Sequence, residues 1–267
     1  MSEPKGRLRG VWSCVEGLRI FARTSRSPIS DGPPVILVHG YGMSSSYMVP
    51  IAKRLAAEHT VYAPDLPGHG RSDNPPKPLS IHGLAESLRI WMDRLGIDRA
   101  AFLGNSMGCQ VIAELAVRHP ERIDRLILVG PTVDPAARTL GRELPRLLKD
   151  GAAERPSLLL LVGRAYGREG FRRLFEEMDL VLADRIEEKL PRIKAPSLVV
   201  RGERDAVAPQ PWAEEVAREL GAGAVRVIPG KGHAPNYSAP DELMRVIRPF
   251  LSSPGEGVSL EKLHDPV

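Results

Sequence analysis

Cysteine is scarce. Cys14 and Cys109 are the two in 267 residues, and they lie too far apart to match metal-ligand or redox spacing. Cys109 reads as a small buried apolar residue. Long apolar runs are missing as well. No stretch is long enough to span a bilayer, and the opening "MSEPKGRLRG" is polar, with no apolar signal region. The expectation is a cytoplasmic protein without a membrane span. Nor is there a block of one charge: Lys and Arg number 37 against 33 Asp and Glu, for a net charge of +4. The two signs are interleaved, which leaves no stripe for nucleic acid.

The sequence also lacks internal repeats, long low-complexity tracts, a dinucleotide fingerprint and any metal-ligand cluster, so no cofactor or metal is expected. What is there is a chain 42% hydrophobic and 26% charged. It is long enough to bury a sizeable core as one large domain or as a domain with an insertion. Nothing in it requires an oligomer.

Short apolar, β-branched runs recur: "VWSCVE", "LRIFAR", "PVILVHG", "TVYAPD", "AAFLGN", "DRLILVG", "SLVVRGE" and "VRVIPG". The first two flank Glu16-Gly17 and predict an antiparallel hairpin. Most later runs alternate with helical patterns, roughly 48–57, 81–95, 107–118, 211–220 and 241–251. Apolar strands alternating with amphipathic helices predict a largely parallel sheet covered on both faces. Residues 133–192 break the rhythm, reading as helical throughout, with "SLLLLV" the one strand candidate. That is too long for a plain crossover and predicts a helical insertion over the carboxyl ends of the strands. The polar tail after Leu251 is expected to fray.

Residues Gly104-Asn105-Ser106-Met107-Gly108 fit G-x-S-x-G. The motif is weak alone, but here it follows a strand run and opens a helical pattern, the context in which it presents a nucleophile. The glycines would relieve clashes at a tight turn. The alternative is a serine that caps the next helix. A serine nucleophile needs a base. His233 stands in "GKGHAP" directly after the last strand run, where a base belongs; the alternative is a loop histidine capping the helix near Asp241. His59, His82 and His119 lie in or beside helical stretches, and His264 is in the tail. The base needs a carboxylate. In "RGERDAVAP", Asp205 lies farther into the loop than Glu203 and is preferred. Glu203 reads as structural, and Asp134, after the preceding strand, is held in reserve. Oxyanion donors are expected from the backbone N–H of Met107, at the positive end of a helix, and of Tyr41, with Gly42 as the alternative.

"VILVHGYG", "PDLPGHGRSD", "GNSMG", "RGERDAVAP" and "GKGH", in this order, resemble the α/β-hydrolase superfamily over residues 10–251. The resemblance implies a mostly parallel eight-stranded sheet flanked by helices. Its core would be residues 1–132 and 193–267, with a helical cap at 133–192. It also implies scaffold roles for His39, Asp65, His69, Arg71 and Ser72. A serine at the elbow implies acyl-enzyme chemistry on esters, thioesters, lactones or amides, and a small-molecule carboxylic ester leads. "GNSMG" also resembles the elbow of hydrolases that cleave carbon–carbon bonds in meta-cleavage products. The loop "HGYGMSS" and Ala234-Pro235 after His233 depart from that branch. An acyltransferase, a perhydrolase or a ligand-binding receptor on the same fold ranks lower.

Candidate pocket residues are Met43, Leu159, Tyr166, Phe171, Phe175 and Met178, each of which has packing within the insertion as its alternative. The insertion is rich in arginine, and a solvated face with Glu143, Glu169, Glu176 and Glu177 as neighbours is the expected reason.

Overall fold

The computed structural model describes residues 6–25, 33–153, 157–158, 163 and 171–253. The tail beyond 253, Leu159 and Tyr166, and Arg164, Arg168 and Glu169 lie outside the described residues, as does the side chain of Phe171. Strands β1 (Leu8–Val15) and β2 (Leu18–Ser25) form the hairpin expected at Glu16-Gly17. Both loop residues have positive φ, 48° and 84°, as a two-residue turn that follows the strand twist requires.

Six further strands complete one sheet: β3 (Val35–Val38), β4 (Val61–Pro64), β5 (Ala100–Asn105), β6 (Ile123–Val129), β7 (Ser197–Gly202) and β8 (Arg226–Ile228). The order across the sheet is β1-β2-β4-β3-β5-β6-β7-β8. Pairing is antiparallel at β1–β2 and β2–β4 and parallel elsewhere.

In chain order the helices are α1 (Ser45–Leu55), α2 (Ile81–Arg94), α3 (Met107–Arg118), α4 (Leu140–Ala153), α5 (Phe171–Ala183), α6 (Gln210–Glu219), the short α7 (Pro235–Ser238) and α8 (Pro240–Ser252). Strand alternation decides which helix covers which face. Ile36, Val38, Phe102, Leu126 and Leu128 pack with Leu88 and Trp91 of α2, Val111 of α3 and Trp212 of α6. Their strand neighbours Val35, Leu37, Leu103, Ile127 and Val129 pack with Met48 and Ile51 of α1 and Ile247 and Phe250 of α8. Burying each such side chain stabilises by about 1.5–3 kcal/mol, against about 1 kcal/mol for a ladder hydrogen bond. The two cores therefore hold the three layers together.

Helix α1 begins three residues before the expected 48, because the Ser44 side chain accepts from Ser46 N and sets the start. The other helices fall within a residue or so of expectation.

Between β6 and β7 the described residues hold α4, α5 and three short 3₁₀ turns, with no strand. Ser157 and Leu158 of "SLLLLV" are helical. Helix α5 turns Leu174, Glu177, Met178, Val181 and Leu182 inward, a helical spacing that leaves Phe175 55% exposed. Phe175, expected in a pocket, thus faces outward because it lies off the buried stripe. The solvated acidic face also fails in part. Glu176 is exposed and pairs with Arg172, but Glu143 and Glu177 are buried, at 4% and 6% exposure. Leu144 and Leu148 of α4 are instead 43% and 67% exposed.

Candidate active site

Ser106 sits between β5 and α3 with φ 57° and ψ −124°, and its side chain makes no capping hydrogen bond. Ser106 and Glu16 are the non-glycine residues with positive φ among the described residues. A backbone of this kind costs on the order of 1–3 kcal/mol and persists only where its surroundings enforce it. Here the surroundings are the two glycines. A Cβ on Gly108 would lie 2.3 Å from Val38 O, and one on Gly104 would lie 2.6 Å from Gly108 C. The turn can therefore form only where strand, helix and β3 meet without side chains between them. Cys109, one residue on, is fully buried. Burial raises its thiol pKa far above the usual range, so the thiol stays protonated.

The other expected residues arrive on separate elements. Asp205 follows β7 and is 3% exposed. Its Oδ1 accepts from Val207 N at 2.9 Å and Ala208 N at 2.8 Å. Its backbone oxygen accepts from Arg201 Nη2 at 2.9 Å. Oδ2 is thus aimed by the loop itself, and it lies 2.9 Å from His233 Nδ1. His233 Nε2 is buried and has no hydrogen-bond partner among the described residues. With Nδ1–H donating to Asp205, a neutral His233 presents a bare Nε2 as acceptor.

Two glycines again allow the approach. A Cβ on Gly130 would lie 2.8 Å from His233 Nδ1 and 2.9 Å from Asp205 Oδ2, and one on Gly202 would lie 2.1 Å from Gly232 O. Asn105 ties the histidine loop to the serine's strand: its Nδ2 donates to His233 O at 3.0 Å and Val129 O at 3.1 Å. Its Oδ1 accepts from Tyr47 OH at 2.9 Å.

Glu203 accepts from Gly230 N at 2.7 Å and so closes the β7 and β8 loops together. Asp134 accepts from Ala136 N at 2.9 Å and pairs with Arg146 at 2.7 Å. Met107 is the first residue of α3, where a backbone N–H has no acceptor within the helix. Tyr41 and Gly42 follow β3, and the loop lies against the elbow: a Cβ on Gly40 would be 3.0 Å from Ser106 Cβ. Tyr41 OH donates to Leu174 O of α5 at 2.6 Å, so its side chain fastens that loop to the inserted segment. Met43 is partly buried beside the second core, and Met178 is buried in the first.

The "GHGRS" turn is knitted internally. Asp65 accepts from Ser45 N at 2.6 Å and Arg71 N at 2.7 Å, and Ser72 Oγ donates to Asp65 O at 2.7 Å. His39 Nε2 accepts from Leu66 N at 3.0 Å, with Nδ1 on Gly40 O at 2.9 Å. Burial and the neighbouring His69 push its pKa down to about 3, leaving it neutral. His69 Nε2 meets Glu177 Oε1 of α5 at 2.8 Å.

Sequence reasoning missed the acids of α4. Asp150 Oδ1 accepts from His233 N at 2.9 Å. Glu143 Oε2 is buried with no hydrogen-bond partner among the described residues. Burial pushes Glu143 up to about 7; His233 and Arg146 oppose the rise, while Asp134 and Asp205 add to it. Burial also raises Asp150. Burial by itself lowers the pKa of His233, but Asp205, Asp150 and Glu143 more than reverse this and bring it to about 9. The one signal available in the sequence was the spacing of Glu143, Leu147 and Asp150 along one helical face.

Elsewhere, an open cleft of about 690 Å³ lies at the far end of α3, lined by Glu86, Glu114, Arg118, Asp184 and Lys189 among others. Its charges are largely paired with one another, as Lys189 is with Glu114 and Asp184. No group of three or more His, Cys, Asp or Glu among the described residues is placed to hold a metal ion. No helix among them is long and apolar enough to cross a membrane.

This chain belongs to the alpha/beta hydrolase family, whose profile matches residues 35–246. It is 28% identical over 257 residues to the pimeloyl-(acyl-carrier protein) methyl ester esterase of Stenotrophomonas maltophilia, covering 85% of this chain and 96% of that one. Among solved structures, a membrane phospholipase A described as a bacterial virulence factor superposes with a TM-score of 0.78 at 26% identity, covering 91% of this chain and 86% of that one. The N-acyl homoserine lactonase AidH, complexed with N-hexanoyl homoserine, superposes with a TM-score of 0.74 at 26% identity over 92% and 96% of the two chains.

Two outcomes follow from the packing and charge of the site. Gly108→Ala must push α3 off Val38 O, and thermal unfolding will show a loss of about 1–3 kcal/mol. Glu143 binds its proton more tightly folded, at about 7, than at its ordinary value of 4.5. Its stabilising contribution is therefore complete below pH 4.5 and lost as pH rises toward 7. Glu143→Gln will raise the melting temperature at pH 8 and leave it nearly unchanged at pH 4.5. An equal shift at both values would contradict this.

Proposed function

We propose that this protein hydrolyses carboxylic esters, lactones included, with a small to medium apolar acyl group, through an acyl intermediate on Ser106. The observation that carries this reading is the His233–Asp205 pair at 2.9 Å. The other imidazole nitrogen of His233 is left bare, on a loop that Asn105 pins to the serine's own strand. The relatives named as an ester esterase and a lactonase support the substrate class.

In this reading Ser106 Oγ bonds to the acyl carbon while its proton passes to His233 Nε2. Asp205 holds the imidazole by Nδ1 and balances the imidazolium. The oxyanion is met by the backbone N–H groups of Met107 and Tyr41, or Gly42, fixed before the substrate arrives. The C–O bond then breaks and the leaving alkoxide takes the proton from Nε2. Water repeats the sequence in reverse: it gives its proton to Nε2, bonds to the acyl carbon and releases the acid as Ser106 recovers its proton. Residues 133–192 act as a cap over the site, a reading supported by the Tyr41 hydroxyl of the oxyanion loop donating to Leu174 O of α5.

The test is p-nitrophenyl ester hydrolysis across acyl lengths. Wild type will show a length optimum, and Ser106→Ala or His233→Gln will lower kcat/KM about 10³-fold or more. The base must be unprotonated, so kcat/KM will climb with pH toward a limb near 9, the value the carboxylates impose on His233. Ester turnover that persists in Ser106→Ala would overturn the assignment. A folded protein that ignores esters but bleaches a coloured ring-fission diketo acid would replace it with carbon–carbon bond hydrolysis.

A further inference from the structure

Asp150 stands outside the Ser106–His233–Asp205 set, yet among the described residues it is the one carboxylate of the inserted segment with a hydrogen bond to the histidine's own residue. It lies on α4 and is 6% exposed. Its Oδ1 accepts from the backbone N–H of His233 at 2.9 Å, and the backbone amide of Ala206 also favours its ionised form. Ala206 follows Asp205 directly. A single carboxylate therefore bonds to the base's loop and has its charged form favoured by the acid's loop, and these loops come from different strands. Nothing in hydrolysis requires that link to come from the inserted segment.

We propose that Asp150 is a positioning residue through which α4 clamps the His233 and Asp205 loops together and lends its charge to the imidazolium that forms during turnover, so that full activity requires α4 to be seated. This deepens the hydrolase reading and rests on it. The charged and titratable groups facing His233 are Asp205 from the β7 loop and Asp150 and Glu143 from α4; Arg146 and Asp134 face Glu143 in turn. Carboxylates thus approach the ring from two separate elements. Asp150 has two jobs, position and charge, and substitutions separate these. Asp150→Asn keeps an oxygen for His233 N–H and removes the charge. Asp150→Ala removes both.

The decisive measurement is the titration of the His233 imidazole by nitrogen NMR in full-length protein carrying Ser106→Ala, which reads the histidine without needing turnover. Asp150→Asn will lower the His233 midpoint by about one pH unit, and in the active enzyme the acid limb of kcat/KM will move down by the same amount. Asp150→Ala will give that shift and a further loss of kcat of about tenfold at every pH, as the loop is freed. Leu148→Ser, on the exposed side of the same helix, will move neither. An unshifted midpoint in a folded Asp150→Asn protein would overturn the role of charge, and equal kcat in the Asn and Ala variants would overturn the clamp. Should Ser106→Ala leave ester turnover intact, the hydrolase reading fails while the NMR titration still decides whether Asp150 governs His233.

Discussion

The structure turns on the distance between α3 and β3. Val38 O would sit 2.3 Å from any Cβ at position 108, so the helix can lie this close to the strand only with glycine there. That contact fixes where α3 starts, and its start forces Ser106 into positive φ. Backbone strain of this kind needs continuous support, and the three-layer packing supplies it. Alternate residues of β3 and β5 bury into separate cores on opposite faces, so the strand end cannot rotate to relax the turn. Hydroxyl placement is thus a consequence of core packing as much as of the five-residue motif.

The same principle recurs on the histidine side with different atoms. Gly130 and Gly202 admit the imidazole–carboxylate pair and the Lys231-Gly232 backbone where a methyl group would collide. Four glycines, 104 and 108 about the β5–α3 turn, 130 after β6 and 202 at the end of β7, therefore describe one crowded rim. Asn105 closes it, since its amide spans β6 and the histidine loop while its oxygen takes Tyr47 OH. Replacing a glycine and replacing Asn105 damage the rim by opposite means, overcrowding against lost hydrogen bonds.

The alternation of apolar runs with helical patterns, the Glu16-Gly17 hairpin and the family were legible in the sequence. Each depends on local periodicity or on a contiguous motif, and local rules are what a single chain displays. Ser106, Asp205 and His233 were legible as candidates because each follows a strand run, where ligand-facing loops of an α/β sheet begin. The inserted segment was legible only as helical. Its faces were misread because amphipathic reasoning sends acids outward, whereas Glu177 meets His69 and Glu143 faces His233, histidines on elements remote in sequence. The pocket suffered similarly: Phe175 differs from Leu174 by one position, and that step of the helix turns it outward.

Burying acids while exposing Leu144 and Leu148 makes α4 a poor helix to dock for stability alone. A carboxylate near pKa 7 such as Glu143 weakens the docked state as pH rises, and the base it faces becomes competent over a higher range, near 9. The two titrations oppose each other: the conditions that free His233 of its proton also charge the face holding α4 down. Asp150 moderates the conflict, because its bond to His233 N is to backbone and survives deprotonation of the ring. Helix α5 adds anchors of a different kind, the Tyr41 hydroxyl on Leu174 O and Arg173 on Pro75 O, neither of which changes charge near neutrality. The α5 side thus keeps two bonds that are indifferent to pH alongside its His69–Glu177 contact, whereas the α4 face that meets His233 depends on the charge of Glu143.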